Sequence, residues 1–168
     1  ITRRPANLST LLSFAQQRLW FLDQFEPGSA FYNMPGAIRL IGELNVGALR
    51  DTINEIIHRH EILRTSFAMV DGIPVQIIAE QLELPLNVID LTELPTEEER
   101  KARAQQLAQA EAETPFDLST GPLIRVNLIR LGVTDQIVLF TLHHIVSDGW
   151  SMGVLVNEVA ALYTAYVN

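Results

Sequence analysis

The sequence predicts an α/β (α+β) sandwich, in which helices cover a mixed β-sheet. Segments with apolar residues three and four apart, typical of helices, alternate with shorter segments typical of strands. Helix-capping boxes and an Asp-Gly turn lie where these segments should begin or end. Because the chain has 168 residues, of which 48% are hydrophobic and 19% charged, it can form one globular domain or one large lobe.

The N-terminal part is predicted to hold two helices with a strand between them. Ser13 and Gln16 form a capping box, which opens a helix of about 12 residues. A strand is predicted over residues 36–44, where alternate apolar residues share one face. Asn45 can cap a second helix, whose apolar residues form one stripe that we expect to be buried.

The middle of the chain carries the clearest hairpin signal. Strands are predicted over residues 65–70 and 73–79, joined by the two-residue turn Asp71-Gly72. Because proline cannot donate to a strand ladder, Pro74 indicates that the second strand starts late or lies at a sheet edge. A further short strand is predicted over residues 86–91.

The C-terminal part is predicted to hold two helices and two strands. A second capping box, Thr-Glu-Glu-Glu at residues 96–99, starts a polar helix whose glutamates we expect to be solvated. Two strands are predicted over residues 123–131 and 136–143. A last helix, with apolar residues on one face, is predicted over residues 149–166.

Composition narrows the range of partners. The net charge of −8 repels phosphate backbones and no basic cluster offsets it, so we expect no nucleic-acid partner. The chain has no cysteine, which excludes disulfides and thiolate catalysis. A membrane span needs about 20 apolar residues, and no segment approaches that length. We therefore expect a cytoplasmic segment of a longer polypeptide without a membrane partner.

The chemically most informative segment is His-His-Ile-Val-Ser-Asp-Gly at residues 143–149. Successive side chains of a strand point to opposite faces, so one of His143 and His144 should enter the interior and the other an open cleft. Histidine exchanges protons near neutrality, and the helix starting at Gly149 offers free N–H groups to a developing oxyanion. The alternative is that both histidines only pack or face solvent, but the turn and helix beside them favour function.

Asp148 is predicted to have a structural role at this turn. Its carboxylate can cap the helix that follows, and a buried carboxylate there would also need a cationic partner. Arg64 is the predicted partner, with Arg59 as the alternative, because the segment between them leaves a helix and enters a strand. Both arginines are otherwise expected to be solvated surface charges.

Other chemical interpretations have weaker support. Two histidines and a carboxylate resemble a metal triad, but adjacent strand histidines do not converge on one ion, so no metal is predicted. Ser147 lies near His144, yet the chain has no G-x-S-x-G elbow of a serine hydrolase. His58 and His60 are expected to be packing or surface residues. Four aromatic residues are expected to lie in the core: Trp20, Phe21, Phe25 and Trp150.

Three segments, at residues 13–20, 59–67 and 143–151, together resemble the opening motifs of condensation domains of nonribosomal peptide synthetases. These domains belong to the chloramphenicol-acetyltransferase-like superfamily, and the similarity extends from Leu12 to Tyr166. The resemblance implies that residues 1–168 form the N-terminal lobe of such a domain, without its C-terminal lobe. It also implies that this lobe is inactive by itself.

The same resemblance implies peptide-bond formation between aminoacyl and peptidyl thioesters. The substrates would arrive on the 4'-phosphopantetheine arms of donor and acceptor peptidyl carrier proteins, with no cofactor bound by the domain itself. The missing lobe and a neighbouring adenylation domain would be further partners. His144 matches the histidine assigned to catalysis, His143 and Asp148 match structural positions, and Gly149 and Arg64 are expected to support the site.

The sequence leaves the detailed chemistry open. His144 could accept a proton during attack or could hydrogen-bond a charged intermediate. Residues 147–151 resemble domains that join two L-configured residues, and the paired histidines argue against a heterocyclisation domain. The alternatives are a coenzyme A-dependent acyltransferase lobe and a non-catalytic lobe that docks carrier proteins.

Overall fold

The computed structural model describes residues 10–168, so residues 1–9 of the predicted lobe lie outside the described residues. Within that range it contains four α-helices and seven β-strands, which confirms the mixed α/β class. In chain order the elements are β1 (Thr10–Leu11), α1 (Phe14–Phe25), β2 (Asn33–Ile41), α2 (Val46–Arg59), a 3-10 turn (Glu61–Arg64), β3 (Thr65–Val70), β4 (Ile73–Ile78), β5 (Asn87–Asp90), α3 (Glu97–Glu113), β6 (Ile124–Gly132), β7 (Asp135–His143) and α4 (Gly149–Val167).

The strands form two sheets. The larger sheet has the order β2-β7-β6-β5, with β5 parallel to β6 and the other pairs antiparallel, so it is mixed as predicted. The smaller sheet has the order β1-β4-β3 and contains the predicted hairpin. The site segment leaves the larger sheet at the end of β7, one of its two central strands.

Three helices begin at the capping residues that the sequence predicted. Ser13 and Gln16 exchange both capping-box hydrogen bonds at the start of α1. At the start of α2, the Oδ1 of Asn45 accepts a hydrogen bond from the N–H of Ala48 at 3.0 Å. The box at residues 96–99 opens α3, and its glutamates are exposed. These bonds satisfy N–H groups that a helix start leaves without intrahelical partners.

Alternation along β7 packs helices against both faces of the larger sheet. Val138 and Leu142, on one face, belong to a core cluster with α2, and α4 packs against that cluster. Leu139, on the other face, packs in a second cluster with Ala104 of α3. His143 has the parity of Leu139, so the end of β7 directs it away from the α2–α4 layer.

Two strand predictions need correction. The strand predicted over residues 36–44 runs three residues earlier, because Gly42 ends it with φ 123° and an N–H bond to the carbonyl of Thr134. The strand β4 starts at Ile73 and is the central strand of its sheet, so the inference from Pro74 was wrong. Pro74 is tolerated because the short β1 pairs only with the two residues after it.

The prediction that four aromatic residues lie in the core holds only for Trp20, which packs against a core cluster. Phe21 and Phe25 are 62% and 73% exposed, and Trp150 is 84% exposed. The helix α1 reaches the core through Leu19 and Trp20, so the face with Phe21 and Phe25 turns outward. Those two rings stack on each other, with centroids 6.5 Å apart.

Candidate active site

Backbone hydrogen bonds fix the turn that follows β7. The N–H of His143 donates to the carbonyl of Leu123 at 3.0 Å, and the N–H of His144 donates to the carbonyl of Tyr32 at 2.9 Å. The N–H of Val146 then donates to the carbonyl of His143 at 3.0 Å and closes the turn. The two histidines are thus tied to the segments that lead into β6 and β2.

His143 lies in the interior, with only 2% of its surface exposed. Its Nδ1 lies 3.1 Å from the N–H of Ile145 and therefore accepts a hydrogen bond. The rings of Tyr32 and Phe116 lie 6.2 Å and 6.1 Å from the imidazole, centroid to centroid. Burial, with a smaller contribution from His144, lowers the pKa of His143 to about 4. His143 is consequently a neutral, packed side chain near pH 7.

His144 is exposed, as expected for the second of two consecutive side chains. Its Nδ1 lies 2.6 Å from the carbonyl oxygen of Ser147. Because a carbonyl oxygen only accepts, Nδ1 must carry the hydrogen. In the neutral imidazole the other nitrogen, Nε2, then holds a free lone pair. The turn therefore presents a hydrogen-bond acceptor at Nε2 of an exposed histidine.

Asp148 caps α4, which confirms the predicted capping role. Its Oδ1 accepts hydrogen bonds from the backbone N–H and from the hydroxyl of Ser151, at 2.8 Å and 2.6 Å. These bonds lower the pKa of the Asp148 carboxyl. The carboxylate is exposed, and Gly149, the first residue of α4, has open space around its Cα.

The predicted ion pair between Asp148 and an arginine was wrong for the described residues. Arg64 pairs with Glu61 at 3.7 Å, and Arg59 pairs with Glu55 at 2.7 Å. An exposed carboxylate that already accepts two hydrogen bonds has no need of a cation. The Arg64 side chain is only 13% exposed, and its Nε and Nη1 find no hydrogen-bond partner within residues 10–168.

A second histidine contact was missed by the sequence interpretation. His60, at the end of α2, places its Nε2 2.6 Å from a carboxylate oxygen of Glu158 in α4. Both residues line a cavity of about 180 Å³, together with Ser147 and Trp150. The pair joins residues 98 positions apart, so no local spacing in the sequence signals it.

The three segments that resemble family motifs meet in one apolar cluster. We call it the motif cluster; its buried members are Leu12, Phe67, Phe116, Leu118, Leu123, Ile145 and Val146. Leu19, Trp20 and Ile62 pack against it. The first segment thus contributes Trp20, the second Phe67, and the third the two residues that follow His144. Packing brings the three segments together around the turn.

Metal-binding clusters and membrane-spanning helices do not occur in the described part of the chain. Within residues 10–168, no group of three or more His, Asp or Glu side chains is placed to hold a metal ion. No helix in this same range is long and apolar enough to cross a membrane.

Comparison with known proteins identifies the family. The family model of the condensation domain matches residues 8–168. The chain belongs to the condensation-domain family. This confirms the resemblance of the three motif segments and, with the fold, the expected superfamily architecture.

Relatives of this condensation-domain chain are parts of much larger enzymes. It is 54% identical over 156 residues to a linear gramicidin synthase of Brevibacillus parabrevis, covering 93% of this chain and 3% of that protein. The starter condensation domain of rhizomide synthetase RzmA superposes with a TM-score of 0.87 at 26% identity, covering 95% of this chain and 38% of that one. A variant of that domain, at 25% identity and a TM-score of 0.85, has been solved in complex with C8-CoA and Leu-SNAC, with 94% and 35% of the two chains covered.

The low pKa of His143 predicts an acid-sensitive window for the fold. Between about pH 6.5 and 4 the unfolded chain binds a proton at His143 that the folded chain excludes. The stabilisation is therefore fully present above pH 6.5 and is lost as the pH falls through about 4. We expect the free energy of unfolding to fall by about 2–3 kcal/mol across this window, measured by urea denaturation.

A comparison of variants assigns that loss to His143. His143→Asn keeps a short side-chain acceptor but does not titrate, so its stability should depend less on pH between 4 and 6.5. His58→Asn, at an exposed position on α2, should keep the dependence of the unmodified chain. Equal pH dependence in the unmodified chain and in His143→Asn would contradict the assignment.

The hydrogen bonds of Asp148 predict that it acts independently of Arg64. Asp148→Ala should lower the melting temperature because α4 loses its N-cap, and Asp148→Ser should retain most of the stability. In a double-mutant cycle with Arg64→Ala, the effects on the free energy of unfolding should add. A clear coupling energy between the two substitutions would contradict the contacts described above.

Proposed function

We propose that this chain is the histidine-bearing lobe of a domain that forms peptide bonds between carrier-bound thioesters. Membership of the condensation-domain family supports the reaction class. The observation that carries the proposal is the hydrogen bond from Nδ1 of His144 to the carbonyl of Ser147. That bond leaves Nε2 of an exposed imidazole available to an incoming amine.

In the proposed reaction, the α-amine of an acceptor attacks the thioester carbonyl of a donor. A C–N bond forms and the C–S bond breaks. The amine nitrogen loses a proton to Nε2 of His144, and the departing thiolate takes up that proton. An α-amino group has a reference pKa of about 7.7–8.0, so part of it is already neutral near pH 7. The proton therefore needs an acceptor only as the new bond forms.

The tautomer of His144 supports proton acceptance over stabilisation of an oxyanion by the neutral ring. With its hydrogen on Nδ1, neutral His144 has no donor at Nε2. It can donate from Nε2 to an oxyanion only after it has taken a proton from the amine. General-base catalysis of this kind typically contributes about 10²–10⁴-fold in rate.

The other site residues are proposed to support His144. His143 fills the interior beneath the turn, and Asp148 holds the start of α4 at Gly149. Arg64 is proposed to be a structural residue of the turn between α2 and β3.

The proposed partners are those of a synthetase module. They are the donor and acceptor peptidyl carrier proteins with their 4'-phosphopantetheine arms, a second lobe that completes the domain, and a neighbouring adenylation domain. The proposal assigns no bound cofactor to the domain, places it in the cytoplasm, and has it join two L-configured residues. The chain spans 38% of the solved starter domain's chain, which supports its being one part of such an assembly.

One observation favours a second candidate, an acyl group delivered by coenzyme A. A variant of the solved starter domain binds C8-CoA together with Leu-SNAC. Rate measurements with an acyl-CoA and with a loaded donor carrier protein distinguish the two donors. Turnover with the loaded carrier alone supports the leading proposal, and turnover with the acyl-CoA alone supports the second.

Substitution of His144 in the complete synthetase tests the proposed function. His144→Ala should lower the condensation rate at least about 10²-fold while the protein stays folded, because the proton acceptor is lost. His144→Gln should be as slow, since an amide is a poor base. His58→Ala serves as the matched control at an exposed position and should retain the full rate.

Two outcomes would contradict the proposal. One is loss of turnover in a stable His143→Ala protein while His144→Ala remains active. The other is measurable turnover of loaded carrier proteins by the 168-residue chain alone, which we expect to be inactive.

A further inference from the structure

Two side chains from the larger sheet close the C-terminal end of α3. The last carbonyl groups of a helix lack intrahelical partners, and α3 has no basic residue in its last turn. Nδ2 of Asn33 donates to the carbonyls of Ala112 and Thr114 at 2.7 Å and 2.8 Å. Nη2 of Arg125 donates to the carbonyls of Glu111 and Thr114 at 3.1 Å and 2.8 Å. A cation here also complements the helix dipole.

Arg125 makes further contacts that only a planar guanidinium can combine. Its Nε donates to the carboxylate of Glu111 at 2.5 Å, and its Nη1 donates to the carbonyl of Pro115 at 3.3 Å. Its Cζ lies 3.8 Å from the centroid of the Phe116 ring. A lysine ammonium is a point charge without this fork and cannot reproduce the set.

Phe116 carries the arrangement to the histidine pair. It is buried in the motif cluster, and its ring meets His143 edge to face at 85°. Tyr32, next to Asn33 in the chain, supplies the second ring beside His143 and the carbonyl that binds the N–H of His144. Both contacts at the end of α3 therefore lead to the residues that hold the turn.

We propose that Arg125 and Phe116 are positioning residues for the histidine pair, with Arg125 fixing the Phe116 ring that holds the His143 imidazole beneath His144. The imidazole of His143 has one hydrogen bond, at Nδ1, so packing must set the tilt of its ring. A shift of His143 moves the backbone of His144 and the direction of its Nε2. The effect on turnover rests on the proposed function of His144.

Nuclear magnetic resonance on the 168-residue chain tests the contact without any turnover. Phe116→Leu should shift the His143 ring-proton resonances strongly, because the neighbouring ring and its ring current are lost. Phe140→Leu is the matched control, since Phe140 also lies on β7 but packs on the opposite face of the sheet. It should leave the His143 resonances nearly unchanged. Arg125→Lys should shift them as well, and Arg130→Lys on the same strand should not.

Kinetics of the complete synthetase test the consequence for the reaction. Phe116→Leu and Arg125→Lys should each lower kcat about tenfold or more with little change in KM, because the substrate still binds while the base is misplaced. Phe140→Leu and Arg130→Lys should keep kcat. Any loss of stability in Phe140→Leu then shows what destabilisation alone does.

The outcomes separate this inference from the proposed function. Unchanged His143 resonances in Phe116→Leu, or equal losses of kcat in Phe116→Leu and Phe140→Leu, would overturn the positioning role. Should Phe116→Leu fail to fold, Arg125→Lys and Phe116→Met carry the same comparison. Full activity of His144→Ala would instead overturn the proposed function, and the resonance shifts would still decide whether Phe116 holds His143.

Discussion

Apolar packing of the residues after His144 is the interaction on which the site depends. Ile145 and Val146 are buried in the motif cluster, and burying side chains of this size contributes about 1.5–3 kcal/mol each. Their burial leaves the turn little freedom, since the backbone on either side is also hydrogen-bonded to the sheet. His144 therefore projects from a rigid support although it lies in a connection between a strand and a helix. A site of this kind keeps its geometry without a dedicated partner for every polar atom.

The two adjacent histidines have opposite environments, and this difference defines their roles. His143 is buried, and the cost of charging it in the interior keeps its pKa at about 4. His144 is exposed, and one backbone carbonyl selects the tautomer that leaves Nε2 free. A neutral His143 also avoids placing a positive charge beside His144, which would disfavour protonation of the base. Asp148 contributes to the same end by capping α4 with bonds to Ser151 and not by pairing with a cation.

Local chemistry in the sequence predicted most of the elements, whereas contacts between distant segments were beyond it. The boxes at Ser13 and at residues 96–99 involve residues three apart, so their partners can be recognised directly. The exposure of Phe21 and Trp150 depends on which face of a helix meets the core, and a short aromatic run does not encode that choice. Long-range pairs such as the contact of His60 with Glu158 depend on how α2 packs on α4. The parity of His143 and His144 was predictable because it follows from strand geometry alone.

The tautomer of His144 is the property that most directly tests its proposed role. Nitrogen-15 resonance of the imidazole groups in the 168-residue chain, at a pH where His144 is neutral, distinguishes a protonated Nδ1 from a protonated Nε2. We predict that His144 carries its hydrogen on Nδ1 and that Nε2 is unprotonated, because the carbonyl of Ser147 accepts only from a donor. A neutral His144 with its hydrogen on Nε2 would contradict the hydrogen bond to Ser147 and, with it, the proton-accepting role proposed for Nε2.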